Sequence, residues 1–247
     1  MTAGAVATLL LLLAVIAAAR ALRAAGQWRE TPRGRAPFAG TVAQYRRCYD
    51  RRGFLILGGV ALAAFVMART GIDEAVDTAH TQRVRGRFSD SLADALRGFG
   101  ERPWFLVWGV FALLDGLVAT TPLLRWGRRN FEAMIVGLPA LWSLQFAGGA
   151  SRPTDPHGDA RWRPFSDDNT ASGHTFMAAV PWLNAGRTVD GVWLRGFAWL
   201  ASWGTGWSRL NDRKHYASQV LFGHEIAAQA VRSVADPGPV ADSSPPA

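Results

Sequence analysis

Two histidines in this chain lie among small, hydroxyl-bearing and cationic residues, in the stretches "ASGHTF" and "SRLNDRKHY". The first stretch contains His174 and the second contains His215. Imidazole can act as a nucleophile or as a general acid and base. Arg152 and Arg209 lie in or beside the same two loops, and guanidinium groups bind the oxygens of an anion such as phosphate. Together these residue types could carry out phosphoryl transfer.

For each of these residues a purely structural role is the alternative to a catalytic or phosphate-binding role. A lone histidine at the edge of an apolar segment is usually satisfied by water, and an arginine there can simply hold a lipid headgroup. The paired Ser-Gly and Ser-Arg contexts favour the functional interpretation for His174 and His215. The remaining histidines lack such a context, so we predict structural or solvated roles for them: His80, His157 and His224.

The composition is typical of a membrane protein. Hydrophobic residues make up 49% of the 247 residues and charged residues only 19%, with eleven tryptophans. The net charge is +8, but the arginines gather beside apolar segments, which favours anionic lipid headgroups over nucleic acid as partners. The single cysteine, Cys48, excludes an internal disulfide framework and a cysteine-based zinc cluster.

Seven apolar stretches predict an all-α bundle of membrane helices. They lie at about 3–19, 53–68, 103–124, 131–148, 173–185, 195–207 and 217–231. A helix needs roughly 20 apolar residues to cross a bilayer, so the shorter stretches must extend into polar sequence and pack on neighbours. The first stretch is either an uncleaved anchor or a secretory signal, and we favour the anchor because Arg20 and Arg23 follow it directly.

The charge distribution predicts domains and orientation. Residues 1–52 form the anchor and a basic segment, residues 53–232 the main membrane domain, and residues 233–247 a disordered tail. Nine arginines in 20–52 place that segment in the cytoplasm and the loops that contain the two histidines outside. Residues 72–100 are either an amphipathic surface helix or a plain connection. Asp115, inside an apolar stretch, is either functional or paired with a buried partner.

The order of three short motifs resembles the type 2 phosphatidic acid phosphatase superfamily. The motifs are Arg152-Pro153, Ser172-Gly173-His174, and Ser208-Arg209 followed after five residues by His215. The resemblance covers roughly residues 53–231 and implies a core of six membrane helices with the motifs on one face, with an extra N-terminal transmembrane helix in this chain.

The resemblance also implies roles for single residues. His215 would be the nucleophile and form a phosphohistidine, and His174 would protonate the leaving oxygen and then activate water. Arg152 and Arg209 would bind the phosphate oxygens. Two more groups would add hydrogen bonds to phosphate: the Ser172 hydroxyl and the Gly173 amide. The implied scheme requires no metal or other cofactor.

Three positions depart from the family pattern. Gln145 stands where the family has a phosphate-binding lysine, and Ala171 stands where it has a proline. Gln219 replaces the aspartate that orients the nucleophilic histidine, so an acceptor oxygen remains but a negative charge is lost. Lys214 is adjacent to His215 and is a candidate to supply the missing positive charge.

The predicted function is hydrolysis of a lipid phosphate at the outer face of a cell membrane, in a multi-pass protein that fits a bacterial inner membrane. The substrate could be a phosphatidate, an isoprenyl phosphate or an isoprenyl diphosphate. Two alternatives stay open. One is a non-catalytic relative that binds a lipid phosphate, and the other is a vanadate-dependent haloperoxidase, which shares the anion-binding motifs. The sequence does not indicate the oligomeric state.

Overall fold

The computed structural model of the protein describes residues 40–117 and 121–234. The predicted anchor at 3–19 and most of the basic segment that follows it lie outside the described residues, as do residues 235–247 of the predicted tail. The first two residues of that tail belong to a helix that ends at Val234. The predicted disorder is therefore wrong for these two residues.

The described residues form helices joined by loops, without a β-strand, which confirms the all-α prediction. The helices are α1 (Thr41–Cys48), α2 (Arg51–Arg69), α3 (Ile72–Arg83), α4 (Arg87–Arg97), a 3-10 turn (Gly98–Gly100), α5 (Pro103–Leu117), α6 (Pro122–Gly148), α7 (Gly173–Thr188), α8 (Val192–Ser202), α9 (Gly204–Asn211) and α10 (Ala217–Val234).

Two predicted apolar stretches do not coincide with single helices. The stretch 103–124 is divided between α5 and α6, because Thr121 caps a new helix by accepting a hydrogen bond from the Leu124 amide at 3.2 Å, and Pro122 fits the first turn. Helix α6 then runs through the arginine-rich residues 125–129. The stretch 195–207 is divided between α8 and α9 at Trp203.

The core lies where α6, α7 and α10 pack on one another, with α2 against α10 and α5 against α6. Phe176 and Phe222 are fully buried there. A Cβ added at Gly137 would lie 2.5 Å from the Phe176 ring, so α6 and α7 approach this closely only because residue 137 is glycine. The contacts of α6 with both α7 and α10 fix the relative positions of the loops at the helix ends.

Two described helices are long and apolar enough to cross a membrane, judged by length and composition: α2 with 19 residues and α6 with 27. Outward-facing apolar side chains also cover α5 and α8, including Leu106, Trp193 and Phe197. Soluble domains rarely expose apolar faces of this extent, so these helices are suited to contact with lipid.

Residues 72–100 fold into α3, α4 and the 3-10 turn, which pack on α9, α10 and the start of α7. The buried carboxylate of Asp73 in α3 accepts hydrogen bonds from the Ser218 amide at 2.9 Å and from the Ser218 hydroxyl at 2.5 Å. Burial raises the pKa of Asp73, and the hydrogen bonds from Ser218 oppose that rise. Asp73 therefore caps α10 from another helix.

Candidate functional site

The three motifs meet at one end of the bundle, where α2 and α6 end and α7 and α10 begin. His174 is the second residue of α7, and His215 lies between α9 and α10. Arg152 follows the end of α6, and Arg209 lies in α9. The structure thus brings together the two histidines and two arginines that the sequence predicts as one site.

Gln219 joins the three motif segments. Its side-chain oxygen lies 2.8 Å from His215 Nδ1 and accepts a hydrogen bond from the Tyr216 amide at 3.1 Å. Its side-chain nitrogen donates to the Ser151 carbonyl at 2.8 Å, and its backbone carbonyl accepts from the Ser172 amide at 2.9 Å. Gln219 is only 1% exposed, so these bonds are shielded from water.

These contacts select one tautomer of His215. The Tyr216 amide can only donate, so the atom that it contacts is the Gln219 oxygen, and His215 Nδ1 must carry the hydrogen. No described group hydrogen-bonds His215 Nε2, whose lone pair is therefore available. Burial lowers the pKa of His215 to about 3, against the favourable hydrogen bond to Gln219. The ring is neutral near pH 7, as a nucleophile must be.

The two predicted arginines are held in different ways. Arg152 Nε donates to Asn169 Oδ1 at 2.8 Å, so its guanidinium contacts a neutral amide. Arg209 is buried, and its NH2 group lies 2.5 Å from Asp212. Burial lowers the pKa of Arg209, and the Asp212 carboxylate opposes this shift. Among the described residues no carboxylate pairs with the Arg152 guanidinium, so the site retains positive charge.

His174 is more open than His215. Its side chain is 38% exposed, and its Nε2 lies 3.8 Å from Glu101 Oε1. Partial burial lowers the pKa of His174, and the Arg209 guanidinium lowers it further, whereas Glu101 raises it. A water-accessible imidazole beside a carboxylate is suited to exchange a proton with a bound group or with water.

The start of α7 presents backbone donors to this cluster. Ser172 is fully buried and caps the helix, because its hydroxyl accepts from the Thr175 amide at 3.3 Å and from the Thr175 hydroxyl at 2.9 Å. An added Cβ at Gly173 would meet only Gln145 Nε2, at 3.6 Å. Packing thus leaves space at the Cα of Gly173, in the first turn of α7, and a helix N-terminus favours an anion.

The residues that the sequence predicts as supporting the site differ in their contacts. The Gln145 amide donates to the Ala171 carbonyl at 2.7 Å, so it reinforces the turn before α7 and brings no charge. Ala171 is buried. Lys214 is exposed, and it is not among the charges that shift the pKa values of His174, His215 or Arg209. The structure does not support Lys214 as the missing cation.

The other histidines and Asp115 have structural contacts. His80 pairs with Asn211 at 3.2 Å, and His157 is exposed. His224 is buried in α10 and lies 2.8 Å from the Ser202 hydroxyl. Asp115 pairs with Arg128 at 2.7 Å, as the buried-partner interpretation proposed.

Sequence reasoning missed two neighbours of the site, Asn169 and Glu101. Asn169 is close to the Ser-Gly-His motif in sequence, and its amide could have been recognised as a holder for an arginine. Glu101 lies in a segment without any motif, so no local signal pointed to it. A polar cavity of about 310 Å³ adjoins Arg152, and the loop residues that line it include Ser151, Asp155 and Asn169. The described residues contain no group of three metal-ligating side chains.

Comparison with known proteins does not place the chain in a family. No family profile, no curated protein and no solved structure matches it. The resemblance to type 2 phosphatidic acid phosphatases therefore rests on the three sequence motifs.

Proposed function

We propose that this chain is a multi-pass membrane phosphatase that hydrolyses a lipid phosphate or an isoprenyl diphosphate through a phosphohistidine. One observation carries the proposal. A neutral His215 with a free Nε2 lies beside two arginines, a second histidine and an open helix N-terminus. These are a nucleophile, charge stabilisation and a proton donor in one place.

In the first step His215 Nε2 attacks phosphorus, and the bond from phosphorus to the leaving oxygen breaks. Protonated His174 gives its proton to that oxygen, so the lipid product leaves as an alcohol or, from a diphosphate, as a monophosphate. Arg152, Arg209 and the Gly173 amide stabilise the charge on the oxygens that stay with phosphorus. As His215 becomes phosphorylated, its hydrogen remains on Nδ1 and stays hydrogen-bonded to the Gln219 oxygen.

In the second step water replaces His215. His174, now neutral, takes a proton from the attacking water, and the bond between phosphorus and Nε2 breaks. Inorganic phosphate leaves, and His215 returns to its neutral form. The same histidine thus acts first as an acid and then as a base, and the reaction returns every group to its starting state.

The position of the site suits a substrate held in a bilayer. The apolar faces of α2, α5 and α8 support a membrane-embedded bundle. The two histidines lie at helix ends, where the loops would meet the headgroup region. A lipid tail would stay among the acyl chains while its phosphate reaches the arginines. The positive-inside pattern supports an outward-facing site.

The test is phosphate release by detergent-purified protein from phosphatidate, isoprenyl diphosphate and phosphatidylglycerol phosphate, in the presence of EDTA. The His215→Ala and His174→Ala variants are assayed beside the wild type, and Arg83→Ala is the control because Arg83 is exposed on α3, outside the motifs and outside the cavity beside Arg152. We expect release by the wild type and the control, and loss in both motif variants. Acid-labile, base-stable phosphate on the wild type and the control, but not on His215→Ala, would identify the phosphohistidine.

No release by the wild type from any of the three substrates would contradict the proposal. If the protein still bound these lipids, the non-catalytic interpretation would replace it, and the neutral amides at Gln145 and Gln219 would explain the lost activity. Vanadate inhibition without halide oxidation would exclude the haloperoxidase.

A further inference from the structure

The proposed site has one cation fewer than the family it resembles. A phosphoryl group distributes its charge over three oxygens, and Arg152 and Arg209 are the two cations that the motifs provide. Gln145 occupies the lysine position, but its amide is bound to the Ala171 carbonyl at 2.7 Å. Lys214 faces solvent. A third cation, if the site has one, must come from outside the motifs.

Arg97, the last residue of α4, is held next to the site by backbone contacts on both sides. The carbonyl of the preceding residue, Leu96, accepts a hydrogen bond from the Thr205 hydroxyl of α9 at 2.7 Å. On the other side, a Cβ added at Gly100 would lie 2.6 Å from the His174 carbonyl oxygen. The 3-10 turn after Arg97 therefore packs directly on the start of α7.

The Arg97 side chain shares a carboxylate with His174. Glu101 Oε1 lies 3.7 Å from Arg97 Nε and 3.8 Å from His174 Nε2, so the two cationic groups approach the same oxygen atom. The other partner of Arg97 is Asp94 at 3.3 Å, and all three side chains of these ion pairs are 45–50% exposed. Such solvated pairs are weak, so Arg97 can exchange them for an anion.

We infer that Arg97 is the third phosphate-binding cation and takes the place of the lysine that Gln145 replaces. This inference rests on the proposed function. The guanidinium forms two parallel hydrogen bonds to a phosphate more readily than an ammonium group does. In agreement, the positive charge of Arg97 lowers the pKa of both His174 and Arg209.

The test measures binding of vanadate, an analogue of the phosphoryl group, by calorimetry on the purified protein. Arg97→Gln is expected to weaken binding about tenfold, which is the size of one charge-assisted contact. Arg102→Gln is the matched control, because Arg102 is exposed beside Glu101 but does not shift the pKa of either histidine. It is expected to bind as the wild type does.

Two further variants distinguish a role of Arg97 in binding vanadate from a role in maintaining the fold. Arg97→Lys is expected to retain most of the affinity. In the Arg97→Gln background, Gln145→Lys restores the family lysine near Gly173, and it is expected to recover binding. With substrate, the Arg97→Gln variant is expected to show a raised KM.

Unchanged vanadate binding in Arg97→Gln would overturn the inference and leave the proposed function standing. A loss that neither lysine variant recovers would also overturn it, because it would indicate a structural role. A wild type that binds no vanadate would instead overturn the proposed function itself.

Discussion

Two arginine clusters lie toward opposite ends of α6, and they differ in how completely their charge is balanced. Arg128 near the start of α6 is paired with Asp115 at 2.7 Å and with Glu132 at 2.9 Å, and Gln44 donates a further hydrogen bond to Glu132. Their ionised side chains are at most 10% exposed. Arg128 is paired with a carboxylate on each side, so it leaves no positive charge for a ligand and serves the fold.

The cluster beyond the end of α6 has the opposite character. Arg152 contacts only a neutral amide through its side chain, Arg209 has one carboxylate partner, and both histidines have a lowered pKa. Among the described residues the Arg152 guanidinium has no carboxylate partner there, and it lies near the start of α7. The comparison teaches that charge balance, rather than the number of arginines, distinguishes an anion-binding site from a structural network.

Removal of Arg128, the cation with two carboxylate partners, should have the largest effect, and that effect is on stability. Arg128→Ala removes the cation that Asp115 and Glu132 both contact inside the bundle, and we expect a loss of about 3–5 kcal/mol in the free energy of unfolding. Unfolding in mixed detergent micelles measures it. The control is Arg85→Ala, whose pair with Asp90 at 3.2 Å is exposed, and which should cost less than about 1 kcal/mol. Equal losses of stability in Arg128→Ala and Arg85→Ala would contradict the structural role assigned to the buried pairs of Arg128.

The same substitution in the second cluster should change binding and leave the fold intact. We expect Arg209→Ala to weaken vanadate binding about 10- to 100-fold, because a charged hydrogen-bond donor is lost. Arg209 is buried, but Asp212, its partner, is 25% exposed and can be solvated, so the free energy of unfolding should fall by about 1–3 kcal/mol, less than in Arg128→Ala. A collapse in stability comparable to that of Arg128→Ala would show that the two clusters do not differ.

A third change tests the neutral acceptor at the centre of the site. Gln219→Glu places a carboxylate beside His215 Nδ1, which should raise the pKa of His215 because the charged imidazole becomes favourable. The Ser151 carbonyl loses its donor, so we expect a loss of about 1–3 kcal/mol in stability. NMR titration of the histidine and denaturation measure the two effects. An unchanged histidine titration would refute the assigned contact.

The smallest effect concerns pH. The proposed first step needs protonated His174, whose pKa lies below its ordinary value, so kcat/KM should fall as pH rises through that lowered pKa. Arg209, Arg97 and Arg152 favour the neutral ring, and only Glu101 favours the charged one. Glu101→Gln should therefore move the alkaline limb to lower pH. A shift to higher pH would assign the limb to another group.

Part of this site follows from sequence and part does not. His215 and Gln219 are four residues apart across the start of α10, so their contact is local and could be predicted from spacing. The Ser151 carbonyl and Glu101 reach the site only through tertiary packing, and no periodic pattern encodes that. One helix boundary also depends on tertiary contacts that the local sequence does not reveal. Residues 125–129 resemble a polar loop, yet they form a helix because Asp115 neutralises Arg128 inside the bundle.

The cap that Asp73 places on Ser218 has a consequence for how the protein is made. The two residues are 145 positions apart, so the contact closes a loop over most of the described chain. Contacts of such long sequence separation form slowly. The helix that follows His215 is also the last described helix to be synthesised. We therefore expect the core of the bundle, which needs α10, and the geometry around the nucleophile to form together, near the end of folding.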